Sequence, residues 1–307
     1  MKKVSQLKRV LEAGVFAVTA ECGPPKGADP EVVIAKAEML RGKIDAVNVT
    51  DNQTAIVRMS SLAACTLIKT VGFDPVLQMV VRDRNRIAIQ SDILGASALG
   101  IRNILCLSGD HQIFGNQPQA VGVFDLDSIQ LVEVVKTMRD KGKILGGEPL
   151  DSAPDLFIGA AANPFADPLE FRVVRLAKKI RAGADFIQTQ CIYNLKRFEA
   201  WVTMAEDRGL TEKVCILGGV TPLKSAGMVR YMKSKVAGMD IPDEIIKRIE
   251  GVSKGKQREE GIRICVETIS RLKEMPGIKG VHIMAIEWEE SVVEIAQRAG
   301  LLPRPDL

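Results

Sequence analysis

Short apolar or β-branched runs alternate eight times with longer stretches of helical periodicity, and nothing else in the chain restricts its fold so strongly. The strand-like runs are 15–22, 46–51, 75–81, 103–109, 156–163, 185–192, 213–220 and 280–288. Amphipathic segments follow them at 31–41, 58–70, 85–98, 127–141, 168–181, 195–208, 224–236 and 289–299, with further helix expected over 242–275. Such alternation makes β-α units, whose strands lie parallel in one sheet because each helix carries the chain back across it. Eight units in 307 residues, with no linker-like Pro/Ser stretch, predict an α/β fold, a single (β/α)8 TIM barrel over residues 1–307. An open doubly wound sheet is the alternative, but the first strand lacks the G-x-G-x-x-G turn that would favour it.

Charge and composition then narrow the function. A net charge of +4 without a basic block argues against nucleic acid or an anionic membrane surface as partner. No apolar run reaches the roughly 18 residues that suggest a membrane span. The basic start, Lys2, Lys3, Lys8 and Arg9, resembles a secretion signal only superficially: Glu12 interrupts it, and Val4, Leu7 and Leu11 share one face of an expected first helix. Six cysteines, Cys22, Cys65, Cys106, Cys191, Cys215 and Cys265, show no CxxC pair, so they read as reduced, buried thiols of a cytoplasmic protein. With only His111 and His282, an imidazole metal centre is not expected, and no metal is assigned. The charged run Lys254–Glu260 reads as a solvated loop and helix start.

In such a barrel the site lies at the carboxyl ends of the strands. There the sequence places Glu21 before a stiff Pro24-Pro25 turn, Thr50-Asp51-Asn52-Gln53 after the second strand, and Ser108-Gly109-Asp110-His111 after the fourth. Gln188 and Gln190, two residues apart on the sixth strand, share a face. Gly218-Gly219 on the seventh suggests room for a ligand against the backbone. No nucleophile sits beside a base, so Glu21 and Asp110 remain as a candidate acid and an electrostatic group, with helix caps or rim ion pairs as the alternative reading.

Several strand-end segments are similar to motifs of the methylenetetrahydrofolate reductase family. They are AECGPP at 20–25, GIRNILCLSGD at 100–110, AGADFIQTQ at 182–190, ILGGVTP at 216–222, GIKGVH at 277–282 and the pair Gly300-Leu301, in family order over nearly the whole chain. The resemblance implies a flavin-bearing barrel that reduces 5,10-methylenetetrahydrofolate to 5-methyltetrahydrofolate. It implies Glu21 as the general acid, Asp110 as the carboxylate beside flavin and pterin, and Gln190 as the folate anchor. Thr50, Gly109, Asp110 and Lys179 correspond to flavin contacts, although Lys179, next to Lys178, also reads as part of a solvated helix face.

Departures from the family pattern matter too. The segment His111–Asn116 and the strand-five end Ala161-Ala162-Asn163-Pro164 do not reproduce aromatic residues associated with flavin, so FMN stands beside FAD. Pro222–Gly227 lacks the phenylalanine that packs on nicotinamide or the folate aryl group. NAD(P)H is therefore one expected electron donor and an iron–sulfur partner subunit of a larger complex the other. A proline-oxidising flavin barrel is a third reading, without an evident carboxylate clamp. Folate is the expected substrate, and self-association into a homo-oligomer is left open.

Overall fold

The computed structural model describes residues 4–236, 238–305 and 307; Lys2 and Lys3 of the basic start lie outside the described residues. Eight strands form a closed parallel barrel in sequence order: β1 (Ala17–Cys22), β2 (Ala46–Val49), β3 (Pro75–Val80), β4 (Asn103–Leu107), β5 (Phe157–Ala162), β6 (Phe186–Cys191), β7 (Cys215–Val220) and β8 (Ile278–Ile283). Closure is made by β1 on β8, with Thr19 opposite His282. The helices are α1 (Gln6–Glu12), α2 (Pro30–Leu40), α3 (Ser61–Thr70), α4 (Arg86–Ala98), α5 (Ser128–Lys141), α6 (Leu169–Ala182), α7 (Leu195–Glu206), α8 (Ala226–Lys235), α9 (Asp243–Glu250), α10 (Gln257–Glu274) and α11 (Glu290–Arg298). The predicted single (β/α)8 barrel is thus the observed fold, and the open sheet is not.

Local chemistry explains where the helices begin and end. Asp127 caps α5 by accepting from the amides of Ile129 and Gln130, while the Gln130 side chain accepts from the Asp127 amide. α6 stops at Gly183, whose φ of 117° lies where a side chain is strained. A Cβ there would also strike the Lys136 side chain.

Strand periodicity sorts the side chains into two cores. Outward residues such as Val18, Ala20, Val47, Ile104, Ile158, Ile187 and Val281 pack beneath the helices. Inward residues stack in layers. Ala17, Ala46, Val76, Leu105, Phe186 and Leu217 form the lower layer, on which Leu7, Val10 and Leu11 of α1 close the amino-terminal end. Phe186 fills that layer because Gly159 stands beside it: a Cβ at Gly159 would lie 2.3 Å from the ring. Above it the interior turns polar, with Thr19, Asn48, Gln78, Gln188 and His282 all buried.

Three expectations are corrected. The last strand ends at Ile283 rather than 288; Met284 still donates its amide to Val220 O at 2.8 Å, and the chain then leaves the sheet through Glu287 at φ 50°. The run Lys254–Glu260 does start a helix, but Gln257 and Glu260 turn inward. Glu260 pairs with Arg248 at 2.8 Å and with Arg263, and Gln257 Oε1 accepts the Ala226 amide at 3.1 Å. At Gly218-Gly219 no ligand space opens: Leu272 occupies the position beside Gly218, and Thr189 O and Met284 that beside Gly219.

Candidate active site

A cavity of about 450 Å3 opens at the carboxyl end of the barrel, within the size range of small-molecule sites. Its lining comes from several strands: Glu21 from β1, Gln78 from β3, Gln188 and Gln190 from β6, His282 from β8, and Met284 just beyond β8. Alternation along each strand does this, since Thr19 and Glu21, or Gln188 and Gln190, project to the same side.

The Glu21 side chain is 13 % exposed. Its Oε1 accepts from Gln78 Nε2 at 3.3 Å and faces His282 Nε2 at 3.8 Å. Below it runs a connected polar layer. His282 Nδ1 lies 2.9 Å from Thr19 Oγ1, which accepts from Gln188 Nε2 at 3.1 Å. Gln188 and Asn48 exchange two amide hydrogen bonds, at 2.6 and 3.1 Å. Burying this many polar groups is tolerable because each has a partner.

The opposite wall is cationic. β5 stands across an eight-stranded ring from β1, and α6, which follows β5, contributes Arg172, Arg175 and Lys179 to the lining. The spacing i, i+3, i+7 puts all three on one helix face. Lys179 is 8 % exposed and donates to Ala161 O, whereas Lys178 is exposed, which separates the two lysines that sequence treats alike. Burial, reinforced by Arg175, lowers the Lys179 ammonium from its ordinary 10.5 to about 8. Arg172 Nε is buried without a hydrogen-bond partner among the described residues. Such a face asks for an anion.

The other expected residues lie at the rim. Thr50 follows β2, is 2 % exposed, and its Oγ1 has no partner among the described residues. Gly109 follows β4 at φ 84°, where a Cβ would touch Val80 and Arg82. Asp110 is exposed and is not among the cavity-lining residues; its Oδ2 accepts the Thr54 amide at 3.0 Å, and its carbonyl accepts from Arg82 Nη1 at 2.9 Å. The structure therefore brings Glu21, Gln190 and Lys179 into one cavity and sets Thr50, Gly109 and Asp110 in the loops beside it.

Asp51 is a packing residue, holding the Val80 amide at 3.0 Å and Arg84 at 2.7 Å. His111 accepts the Ile113 amide and caps the short turn Gln112–Phe114. That segment does carry an aromatic side chain, Phe114, which is 70 % exposed.

Sequence reasoning missed Gln78, Asn48, Arg172 and Arg175, and did not give His282 or Thr19 a role at the site. The signals existed. Thr19 shares the parity of Glu21, and Arg172, Arg175 and Lys179 recur at helical spacing.

Buried free thiols complete the surroundings. Burial raises Cys22 and Cys191 to about 12, so both behave as small packing groups. Among the described residues no cluster of three or more His, Cys, Asp or Glu side chains could hold a metal, and no helix is long and apolar enough to cross a membrane.

A closed (β/α)8 barrel whose carboxyl-end cavity sets an acid against a cationic wall has the layout of a barrel enzyme that handles an anionic small molecule. The family is shown by comparison: the chain matches the model of the family "Methylenetetrahydrofolate reductase" over residues 6–300 and belongs to that family. It is 24 % identical over 252 residues to a "Probable methylenetetrahydrofolate reductase (NADPH)" of Caenorhabditis elegans, covering 80 % of this chain and 35 % of that one. It is 28 % identical over 219 residues to "Methylenetetrahydrofolate reductase 1" of Schizosaccharomyces pombe, covering 70 % and 34 %. The chain thus spans about a third of the length of these curated relatives. Among solved structures, an uncharacterized Clostridium thermocellum protein that binds two copies of 5-methyl-5,6,7,8-tetrahydrofolic acid shares the fold, with TM-score 0.62, 15 % identity, and coverage of 95 % of this chain and 98 % of that one.

Proposed function

We propose that this chain acts as one flavin-binding catalytic barrel that reduces 5,10-methylenetetrahydrofolate to 5-methyltetrahydrofolate in the cytoplasm. The observation that carries the reading is Glu21, held by Gln78 and facing His282, in a cavity whose far wall is cationic.

The residues fit a flavin phosphate. Lys179, Arg172 and Arg175 supply positive charge on one helix face, and a buried ammonium whose pKa is depressed gains most from a bound anion. The unpartnered Thr50 hydroxyl offers a hydrogen bond toward a polar ring edge. When bound, the flavin supplies the hydride. FAD and FMN both remain within this reading.

In this reading Glu21 gives a proton to a ring nitrogen of the substrate imidazolidine, which opens to an electrophilic iminium. Gln190 Oε1 accepts the Cys191 amide at 3.0 Å, and its NH2, without a partner among the described residues, donates to the pterin in this reading. Asp110 adds negative charge at the β4 rim, which favours a cation developing on the substrate.

The test is Glu21→Gln. It should retain flavin and its reduction while losing methylene-to-methyl turnover by roughly 10²–10⁴-fold, the range of general acid catalysis. Unimpaired turnover would reject the acid. Stopped-flow mixing with NADH and NADPH identifies the donor: rapid bleaching of the flavin supports a nicotinamide, and no bleaching supports an iron–sulfur partner.

A further inference from the structure

We propose that the buried amide pair Asn48–Gln188 is a positioning device that, through Thr19, fixes His282 as the tautomer with its proton on Nε2 and thereby assigns the two oxygens of Glu21 different roles. The inference deepens the reading above, because Glu21 is its target, but its first prediction concerns the proton on His282 and stands without turnover.

Hydrogen-bond accounting carries it. Gln188 Nε2 donates to both Asn48 Oδ1 and Thr19 Oγ1, each at 3.1 Å, while Gln188 Oε1 accepts from Asn48 Nδ2 at 2.6 Å. Thr19 Oγ1 is therefore already an acceptor. It has one proton to give and two acceptors in reach, His282 Nδ1 at 2.9 Å and Val281 O at 3.4 Å. A second lone pair would let the hydroxyl accept from Nδ1–H and give its proton to Val281 O, but that donation spans 3.4 Å, so the shorter contact favours Nδ1 as the acceptor. A neutral imidazole whose Nδ1 accepts must carry its proton on Nε2, the nitrogen that faces Glu21 Oε1 across 3.8 Å.

Gln78 Nε2 donates to the same oxygen at 3.3 Å. Oε1 therefore accepts from Gln78 and has His282 Nε2 facing it beyond direct hydrogen-bond reach, which makes it the accepting oxygen of the carboxyl group. The acid proton accordingly resides on Oε2, the oxygen left free of protein donors among the described residues. Asn48 lies outside the cavity lining, and Gln188, though it lines the cavity, has its amide engaged by Asn48 and Thr19. They act through Thr19 and His282, which makes them positioning residues.

The opposite arrangement is equally specific. If both amides were turned over, Gln188 Oε1 would face Thr19, the hydroxyl would donate to it, and His282 would keep its proton on Nδ1. Both amides are buried and bonded to each other, so they turn together or not at all.

The protein's two histidines make the test clean. In the holoenzyme with 15N-labelled histidine, nitrogen-detected NMR of the neutral rings should show His282 as the Nε2–H tautomer, its signals being those that persist in His111→Gln. Thr19→Val, which keeps the shape and removes the hydroxyl, should abolish that preference. So should the double variant Asn48→Leu/Gln188→Met, which removes both amides and leaves no orphan. The same variants should lower kcat by about tenfold, the factor of one neutral hydrogen bond, and alter the pH profile with little change in KM. Gln188→Asn with Asn48→Gln, which exchanges the amides, should restore the tautomer.

An Nδ1–H tautomer in the unaltered protein, or an Nε2–H tautomer that survives loss of the Thr19 hydroxyl, overturns the proposal. Absence of folate turnover with the Nε2–H tautomer intact would instead reject the catalytic reading and leave the positioning network standing.

Discussion

The Asp110 carboxylate accepts the Thr54 amide at 3.0 Å, joining the loops after β2 and β4 across the end of β3. The joined loop is strained, with Asn52, Thr54 and Ala55 all at positive φ. Asn116 supports the same junction by accepting the Val57 amide at 3.0 Å. Charge and architecture therefore coincide in one residue and can be separated. Asp110→Asn keeps an acceptor oxygen, so residues 52–57 should stay protected from protease while turnover falls. Asp110→Ala should expose that loop as well, at a cost of about 1 kcal/mol for the lost hydrogen bond. Equal turnover in wild type and Asp110→Asn would deny the carboxylate an electrostatic role.

Lys179 should make stability depend on pH in an uncommon direction. Its pKa falls from 10.5 unfolded to about 8 folded, so the unfolded chain binds more protons between those values. Stability contributed by this group therefore rises as pH goes from 8 to 10.5, and the penalty of holding the buried cation, on the order of 3 kcal/mol, is fully present below 8. Lys179→Met should raise the melting temperature at pH 7, with the gain shrinking toward pH 10.5, and should weaken flavin retention. A constant gain across that range would place the cost elsewhere.

At the amino-terminal end, Arg304 forms a two-point ion pair with Asp45, at 3.0 and 2.7 Å. The Asp45 side chain is fully buried, and its Oδ2 also receives the Val18 amide at 2.7 Å. Removing the guanidinium strands a buried charge, so Arg304→Ala should lower unfolding free energy by about 3–5 kcal/mol in urea titration. A loss below about 1 kcal/mol would mean that solvent replaces the partner.

Gly159→Ala tests the lower barrel layer. Its methyl would enter the ring of Phe186, itself stacked on Phe157 at 5.2 Å and fully buried. Overpacking of this kind costs about 1–3 kcal/mol, read as a lower urea midpoint at unchanged slope. The companion change Phe186→Leu should recover part of it.

Much of the barrel was legible because strand runs and helical runs differ in period, and because Asp127 and Gly183 mark helix ends by local chemistry. The overrun of β8 has a physical source. Met284 makes one last backbone bond to β7 and lines the cavity while Ala285 is buried, so the apolar run continues past the end of the strand. Parity along β6 was enough to set Gln190 on the face of Gln188, and Glu21 was legible from its place at the end of β1. The partner of Asp110 could not be read, since its contact with Thr54 depends on how two irregular loops fold over β3. Nor could Gly218 and Gly219 be assigned: only coordinates reveal Leu272 and Met284 in the spaces beside them.

Leu7 and Val10 stopper the lower end of the cylinder, and this has a consequence for traffic. If reductant and pterin both work in the chamber above, then among the described residues the stoppered end offers no second way in, and they share the opening at the carboxyl end. Visitors too large to sit there together must then come and go by turns, with the reducing equivalents waiting inside between one departure and the next arrival.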